Sequence, residues 1–416
     1  MSHQHPLPDG WANDVQPILP SAGVLRTGPR ESGVVLPVEL FFDLVYVLAI
    51  TQLTHYLLEH LTIRGAAEAL ILFLAVWRGW VRITWVSSYF ELRGRPVRLV
   101  LIWLTLASLI VSASLPEAFD GRGVAVAVGF GLILTSAAGF ALVAAGRDHP
   151  LRRVHERVLI WDLVTALLLF AGGLMQGDAR FVMWLGTMGL SYSVMWLGSP
   201  LPLIGHSHTT DYPITGEHMA ERCLLFVTIA LGESIIITGS NFGELRTSAE
   251  RWLAFVVAFV GSAAIWWTYF DRGAEAARDV IAAAEDPGRV GLIGYTYCHI
   301  PIVFGIIVAA AGDEIAIAHP GHEVSTGEAA LILGGPALYL LGHSLFKLTL
   351  WGHLSPSRLA GLVALGALVP LATVSSSLVL ISAATAVLLG VVVWDLVIER
   401  RFLVAESQPV AAELEV

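Results

Sequence analysis

Two carboxylates stand near the start of the first long apolar run of the chain. Glu39 and Asp43 belong to a run over residues 36–58 in which most other side chains are apolar. In an α-helix the two acids would share one face, about 6 Å apart along the axis. A carboxylate inside a bilayer costs roughly 2.5 to 3.5 kcal/mol, so it requires a partner, water or an ion.

Three more ionisable side chains fall inside later apolar runs. Glu233 lies about 18 Å into its run, and it could be a proton or ion site near the midplane or an acid neutralised by a neighbouring helix. His299 and His343 each lie about 12 Å from one end of their runs, at a depth similar to that of Asp43. These groups could form a polar layer suited to a proton relay or a cation site. Histidines that are simply hydrogen-bonded between helices are the alternative.

Two arginines offer a partner for the first pair of acids. Arg78 and Arg82 are spaced i, i+4 on the second run, and Arg82 lies close to Asp43 in depth. We therefore expect an Asp43–Arg82 ion pair, which could also be purely structural and hold the first two helices together. Glu39 lies only about 4 to 5 Å inside the bilayer and could be merely interfacial.

Signatures of soluble enzymes and of metal sites are missing. The loop 205–211, followed by His218 and Glu221, holds metal-ligand residue types whose spacing matches no known site. The sequence has no Walker A loop, no dinucleotide fingerprint after a strand and no His-Glu-x-x-His motif. Cys298 and His299 are adjacent, so their side chains would diverge by about 100° on a helix. We expect no enzyme activity, no metal and no cofactor.

The composition is that of an integral membrane protein. The 416 residues are 56% hydrophobic and 14% charged, whereas soluble proteins carry about 25% charged residues. The sequence contains no block of basic residues of the kind that would indicate nucleic-acid binding. Cys223 and Cys298 both fall in apolar runs and are expected to be buried thiols.

Runs of about 20 apolar residues predict an all-α polytopic membrane protein of about 12 transmembrane helices. The runs lie near residues 36–58, 66–90, 98–115, 123–145, 157–176, 181–198, 221–241, 251–270, 291–312, 328–351, 358–375 and 377–398. The last two are the least clearly separated, because only the short stretch 375–377 divides them.

Arginine is concentrated in alternate connections between these runs. The rich connections hold Arg93, Arg95 and Arg98; Arg147, Arg152, Arg153 and Arg157; and Arg272, Arg278 and Arg289. The positive-inside rule places these connections in the cytoplasm, together with Arg26 and Arg30 near one terminus and Arg400 and Arg401 near the other. Both termini are then cytoplasmic, which requires an even number of spans.

The two halves of the chain look like parallel six-helix repeats. The second run ends in 89–91, Tyr-Phe-Glu, and the eighth ends in 269–271, Tyr-Phe-Asp. Each half also opens with a helix that carries an embedded acid, Asp43 or Glu233. We divide the chain into a disordered tail (1–35), a first repeat (36–200), a linker (201–216), a second repeat (217–400) and a C-terminal tail (401–416). The first tail holds five prolines and no apolar run long enough for a signal peptide.

Four blocks of sequence resemble the bacterial low temperature requirement A family. They are Glu39–Val45 continuing through Thr51–His55, His218–Arg222 followed by Leu231–Ser234, Tyr297–Val303, and Gly334–His343. The resemblance covers roughly residues 36 to 400. It implies a multi-pass protein of the bacterial inner membrane and links the chain to growth at low temperature, which is a phenotype and not a reaction.

A second likeness concerns the first helix alone. Phe42-Asp43 in a twice-repeated six-helix unit looks like the Phe-Ser-Asp motif of a bacterial and lysosomal potassium channel family. This chain has Phe42 where that motif has serine, and the run that opens its second half (221–241) has no Phe-Asp.

These observations favour a transporter or channel for a small cation, with or without proton coupling. Asp43 and Glu233 would be the key acids of the path. The remaining polar lining would come from Glu39, His299 and His343, with the bilayer and a small cation or proton as partners. The alternative is a structural or regulatory membrane protein linked to cold growth, in which buried charges such as Arg78 and Arg82 tie helices together. The sequence leaves the oligomeric state open.

Overall fold

The computed structural model describes residues 35–413, except for 89, 92–93, 203, 213, 245–247 and 272. The predicted N-terminal tail therefore lies outside the described residues, apart from Val35. Within the described part, the chain is helical and contains no β-strand, only isolated bridges.

Twelve helices, numbered here in chain order, account for the bulk of the fold. They are α1 Pro37–Glu59, α2 Ile63–Ser87, α3 Arg95–Ser114, α4 Gly123–Ala145, α5 Leu151–Leu174, α6 Gly177–Trp196, α7 Gly216–Glu244, α8 Ala249–Phe270, α9 Pro287–Ala318, α10 Thr326–Trp351, α11 Pro356–Ala367 and α12 Ser377–Glu413. A short helix, Gly273–Ala283, joins α8 to α9.

Each predicted run coincides with one of these helices. Ten helices in the described residues are long and apolar enough to cross a membrane, and α6 and α7 fall outside that group. The uncertain division near the C-terminus is real: a 3₁₀ turn at Val369–Thr373 separates α11 from α12. The last helix continues to Glu413, through much of the segment that the sequence predicted as a tail.

Local sequence explains where key helices begin and end. Pro37 stands in the first turn of α1, where its missing N–H leaves no bond unmade. In α10, Ser325 and Glu328 form a capping box, and the helix ends at Gly352, whose φ of 73° is readily adopted only by glycine.

α9 is not a regular α-helix throughout. Its segment Gly291–Tyr297 is π-helical, and Pro301 follows within the next turn. Because proline has no N–H, the carbonyl one turn before Pro301 has no regular helical donor. A carbonyl of the π-helical segment accepts a hydrogen bond from a side chain of another helix: Trp77 Nε1 donates to the Thr296 carbonyl at 2.9 Å.

Large aromatic side chains fill the centre of the bundle, while the outside is apolar. Trp77 and Trp80 are fully buried and stack at 5.0 Å, and Phe226 of α7 packs against both. On the outer face of α1, by contrast, Phe41 is 51% and Leu44 64% exposed. Such exposed apolar faces are expected where lipid covers the protein.

α1 and α7 lie side by side and run in the same direction. Glu39 contacts His218 and Asp43 contacts Arg222, and both pairs are 179 residues apart in sequence. Antiparallel neighbours would change this separation by eight over one turn, so the constant value requires parallel helices. α1 and α7 are thus joined by two consecutive pairs of an acidic and a basic side chain.

Candidate functional site

Asp43 is held by a buried arginine from the other half of the chain. Arg222 of α7 donates from Nη1 to Oδ2 at 2.6 Å and from Nη2 to Oδ1 at 2.8 Å. Trp80 of α2 adds a bond from Nε1 to Oδ1 at 2.9 Å, and the guanidinium lies 5.4 Å from its ring. Such a two-pronged pair satisfies the acid fully, as an ion pair away from water requires.

Glu39 lies one turn before Asp43 and pairs with a histidine. His218 Nε2 is 2.8 Å from Oε1, and the backbone N–H of Leu36 donates to Oε2 at 3.1 Å. The other ring nitrogen of His218 is 3.2 Å from the Ser88 hydroxyl at the end of α2. Two acids on α1 therefore face two basic side chains on α7, and α2 contributes one hydrogen bond to each pair.

Two sequence-based expectations about this region are wrong. Asp43 does not pair with Arg82, because α7 rather than α2 brings a guanidinium to it. Glu39 is not interfacial either: it is 1% exposed, because α7 covers the face of α1 on which it lies. Both errors arise from treating α1 and α2 without their neighbour α7.

Arg78 and Arg82 do form buried ion pairs, with an acid that the sequence interpretation did not single out. Asp162 of α5 accepts at its Oδ1 from Arg82 at 2.7 Å and from Arg78 at 3.4 Å. Its Oδ2 and the Nε of each arginine are buried and have no hydrogen-bond partner. One carboxylate thus serves two guanidiniums, and one positive charge is left over.

Glu233 differs from Asp43, Glu39 and Asp162 because no arginine or histidine among the described residues bonds to it. It is 1% exposed, and its Oε2 lies 2.7 Å from the Thr51 hydroxyl of α1. Its Oε1 is buried without a hydrogen-bond partner. His55 and Glu314 act on it electrostatically from α1 and α9.

The Thr51 hydroxyl limits the protonation state of Glu233. Its oxygen is 2.7 Å from Glu233 Oε2 and 3.1 Å from the Val47 carbonyl oxygen. A hydroxyl has one proton, so it makes a full hydrogen bond to only one acceptor and a weaker, shared one to two. Both contacts are made if Glu233 carries a proton and donates to Thr51, which in turn donates to Val47.

The two histidines lie in one aromatic layer, but neither bonds to an acid of α1. His299 is 2.8 Å from the Tyr269 hydroxyl and stacks parallel to Trp77 at 6.4 Å. His343 accepts from Arg358 Nε at 3.1 Å. Tyr269 contacts both imidazole rings, so the layer joins the histidines to each other through aromatic side chains and not to Asp43.

The cavities of the protein lie elsewhere than the paired acids. One of about 300 Å³ is lined by Arg78, Arg82 and the loop after α6. Another of about 260 Å³ lies beside the short helix Gly273–Ala283 and reaches His343 and Lys347. Neither is lined by Asp43 or Glu39. Among the described residues, no group of three His, Cys, Asp or Glu side chains could hold a metal ion.

The residues that sequence reasoning missed were recognisable by position. His218 and Arg222 stand 179 residues after Glu39 and Asp43, and the Tyr-Phe-acid motifs at 89–91 and 269–271 are 180 apart. These near-equal separations, 179 and 180 residues, were the signal in the sequence for both pairs.

Comparison with known proteins identifies the family of the chain. The family model described as bacterial low temperature requirement A protein matches residues 34–393. An uncharacterized protein of Rhizobium meliloti strain 1021 is 34% identical over 362 residues, which cover 86% of this chain and 88% of that protein. No solved structure gives a significant match. The chain is therefore a multi-pass membrane protein that belongs to the bacterial low temperature requirement A family.

Proposed function

We propose that this protein moves protons across the bacterial inner membrane, with Glu233 as the group that takes up and releases the proton. The observation that carries the proposal is the pairing of Glu233 with a neutral hydroxyl alone, in contrast to Asp43 and its arginine. A carboxyl so placed is most stable when protonated, and an acid in a membrane span that lacks a cationic partner is a typical element of proton pathways.

A route for the proton is available next to Glu233. Thr51 lies about 12 Å before the end of α1 at Glu59, counted at 1.5 Å per residue. His55, one turn beyond Thr51, is exposed on α1. An imidazole can accept and pass on a proton near neutral pH, so His55 would connect the buried carboxyl to the aqueous side.

The proton is the cation that these residues suit best. A bare metal or alkali ion needs several oxygen ligands to replace its water shell. Around Glu233 the described residues provide one hydroxyl, whereas a proton needs a single carboxyl. We propose no enzymatic reaction and no cofactor, and the partners are the lipid bilayer and protons.

Twelve spans in two parallel repeats are part of the same proposal. Helix pairs that pack in the first half recur six helices later: α1–α3 and α7–α9, α3–α4 and α9–α10, α4–α5 and α10–α11, α2–α6 and α8–α12. The equal separations of the Glu39–His218 and Asp43–Arg222 pairs support an axis between α1 and α7. With the arginine distribution, an even number of spans places both termini in the cytoplasm.

In this arrangement Asp43 and Glu39 hold the two repeats together. They are paired, dry and outside both large cavities. Glu233 lies about 12 Å farther along α1, since Thr51 is eight residues beyond Asp43. Of these three acids, Asp43 and Glu39 therefore have a structural role and Glu233 is the proton site.

The test is proton flux in liposomes containing the full chain. A K⁺ diffusion potential drives protons inward, and an entrapped dye reports internal pH; parallel vesicles carry Na⁺ or K⁺ gradients. We expect wild-type vesicles to acidify faster than empty ones and Glu233→Gln to remove at least about nine-tenths of that flux. Glu59→Gln, which changes an exposed acid on α1, is the matched control and should retain it. Absent proton flux, or equal flux in Glu233→Gln, would refute the proposal.

A structural or regulatory role is the second candidate, and the two dry ion pairs favour it. If the buried charges only tie helices together, Glu233→Gln would leave every ion flux unchanged. It would also alter the free energy of unfolding by no more than a lost neutral hydrogen bond, about 0.5 to 1.5 kcal/mol.

A further inference from the structure

A cavity at the end of α2 is distinct from the paired acids and from Glu233. It has a volume of about 300 Å³ and lies between α2, α5, the end of α6 and the loop that follows α6. Its basic lining consists of Arg78, Arg82, His155, His206 and His208. No acid is among the described residues that line it.

The two arginines leave a positive charge at the wall of this cavity. Arg78 is 5% exposed, and both guanidiniums share the single Oδ1 of Asp162. The Nε atoms of Arg78 and Arg82 are buried and have no hydrogen-bond partner. A buried cation with an unused donor is costly unless an anion neutralises it.

A third arginine stands behind the loop. Arg157 is 6% exposed, and its guanidinium donates to the Ser207 hydroxyl at 2.8 Å and to the Ile204 carbonyl at 3.0 Å. These acceptors are neutral, so the charge of Arg157 adds to the excess at this end of the bundle. The positive potential around the cavity is therefore the sum of several groups.

The loop over the cavity is a folded structure. Gly198 has a φ of 72°, and a side chain there would overlap the backbone of Ser207. The N–H of Ser207 donates to the Gly198 carbonyl at 2.7 Å. This close return places His206 and His208 on the rim, so the rim is formed before any ligand arrives and little ordering is needed on binding.

The rest of the lining suits a small molecule with an apolar part. Trp85 and Tyr212 meet edge to face at 5.3 Å and line the cavity together with Val81 and Met195. A volume of about 300 Å³ is at the lower end of ligand pockets. It fits a molecule about the size of a phosphorylated glycerol.

We propose that this cavity binds a phosphate-bearing anion, with Arg78 and Arg82 as its cationic contacts and the loop 206–208 as its rim. Guanidinium donors match phosphate oxygens in geometry as well as charge. The same chemistry would recognise a soluble organic phosphate or the headgroup of a phospholipid, and the experiment separates these sources. The inference goes beyond proton movement, and binding is measured without any flux.

The test is equilibrium binding to the purified full chain in a neutral detergent. Isothermal titration uses inorganic phosphate, glycerol 3-phosphate and short-chain phosphatidylglycerol as separate probes. Saturable binding of glycerol 3-phosphate assigns the site to soluble phosphates, and binding of the lipid alone assigns it to a headgroup. Wild-type protein that binds none of the three overturns the proposal.

Variants place the binding in this cavity. Arg82→Gln removes a charge-assisted contact, so we expect the dissociation constant to rise about tenfold or more. Arg152→Gln removes an arginine from an exposed pair with Glu156 near the start of α5 and is the matched control; its affinity should equal that of the wild type. Equal affinity in Arg82→Gln and wild type contradicts the assignment.

Two further variants separate binding from folding. Asp162→Asn removes the acid that competes for both guanidiniums, so it should tighten anion binding several-fold even though it destabilises the fold. His208→Ala changes an exposed rim residue and should weaken binding with an unchanged unfolding temperature. Weaker binding in Asp162→Asn, or unaltered binding in His208→Ala, counts against an anion at this place.

Discussion

At the scale of single residues, the pairing of each buried acid decides what it can do. Asp43 accepts three hydrogen bonds, two from Arg222 and one from Trp80. These bonds stabilise its carboxylate form and its ion pair with Arg222. Glu233 is hydrogen-bonded to one neutral group, the Thr51 hydroxyl. The same functional group, a buried carboxyl, thus has a full set of charged and polar partners at one depth and a single neutral partner at another.

The Asp43–Arg222 pair should be strongly coupled. Asp43→Asn and Arg222→Gln should each lower the free energy of unfolding by about 3 to 5 kcal/mol, because each leaves a buried charge alone. The double variant should lose less than the sum by at least about 1 kcal/mol. Titration with denaturing detergent in mixed micelles measures all four proteins.

The exposed Arg152–Glu156 pair is the control for that cycle. Its side chains are 36% and 33% exposed, and exposed pairs contribute about 0 to 1 kcal/mol. Additive losses for Asp43 and Arg222 would show that the two side chains do not act as a pair.

The chemistry of these residues was predictable from sequence, but their partners were not. The cost of a charge in lipid predicted that Asp43 needs a cation, and depth along a helix suggested Arg82. Depth does not say which helices are neighbours, and α7 is nearer to Asp43 than the charged face of α2. The one sign in the sequence that α1 and α7 are neighbours was a spacing. Asp43 and Arg222 are 179 residues apart, and the two Tyr-Phe-acid motifs are 180 residues apart.

At the scale of helices, glycines set the distance between α9 and α10. A Cβ at Gly305 would lie 2.5 Å from the Tyr339 backbone nitrogen, and one at Gly342 would lie 2.6 Å from that of Ile302. A Cβ at Gly335 would overlap the backbone of Ala309. Close contact of backbones through small residues is the usual means of helix association in lipid, where the hydrophobic effect does not act between helices.

Gly335→Ala should therefore separate α9 from α10. Overpacking of this kind costs about 1 to 3 kcal/mol, measured as the free energy of unfolding in mixed micelles. Gly334→Ala is the adjacent control, since a Cβ there meets nothing within 4 Å. It should leave stability unchanged or raise it by up to about 1 kcal/mol, because alanine favours a helix more than glycine does. Equal effects of the two substitutions would contradict this packing.

Apolar runs predicted the helices well because length and hydropathy are local properties. The π-helical segment Gly291–Tyr297 was not predictable, because it depends on contacts with other helices. One of these is the hydrogen bond that Trp77 of α2 donates to the Thr296 carbonyl. Pro301 signalled a disturbance near this place in the sequence, but not its form.

At the scale of the whole molecule, the arginine distribution predicts a fixed orientation. Cys223 and Cys298 are buried, so wild-type protein gives little background in thiol labelling. Asp120→Cys and Asp148→Cys replace exposed residues in successive connections. In intact cells, a membrane-impermeant maleimide should label the cysteine at 120 and spare the one at 148, and permeabilisation should expose both. The reverse pattern would invert the proposed topology.

The measurement closest to the central claim is the protonation of Glu233 in the membrane. Infrared difference spectra between wild type and Glu233→Gln, recorded in lipid at neutral pH, report the carbonyl stretch of a protonated carboxyl. The account predicts such a band, lost in Glu233→Gln, kept in Glu59→Gln and shifted in heavy water. A spectrum in which Glu233 contributes only carboxylate bands at neutral pH would contradict it.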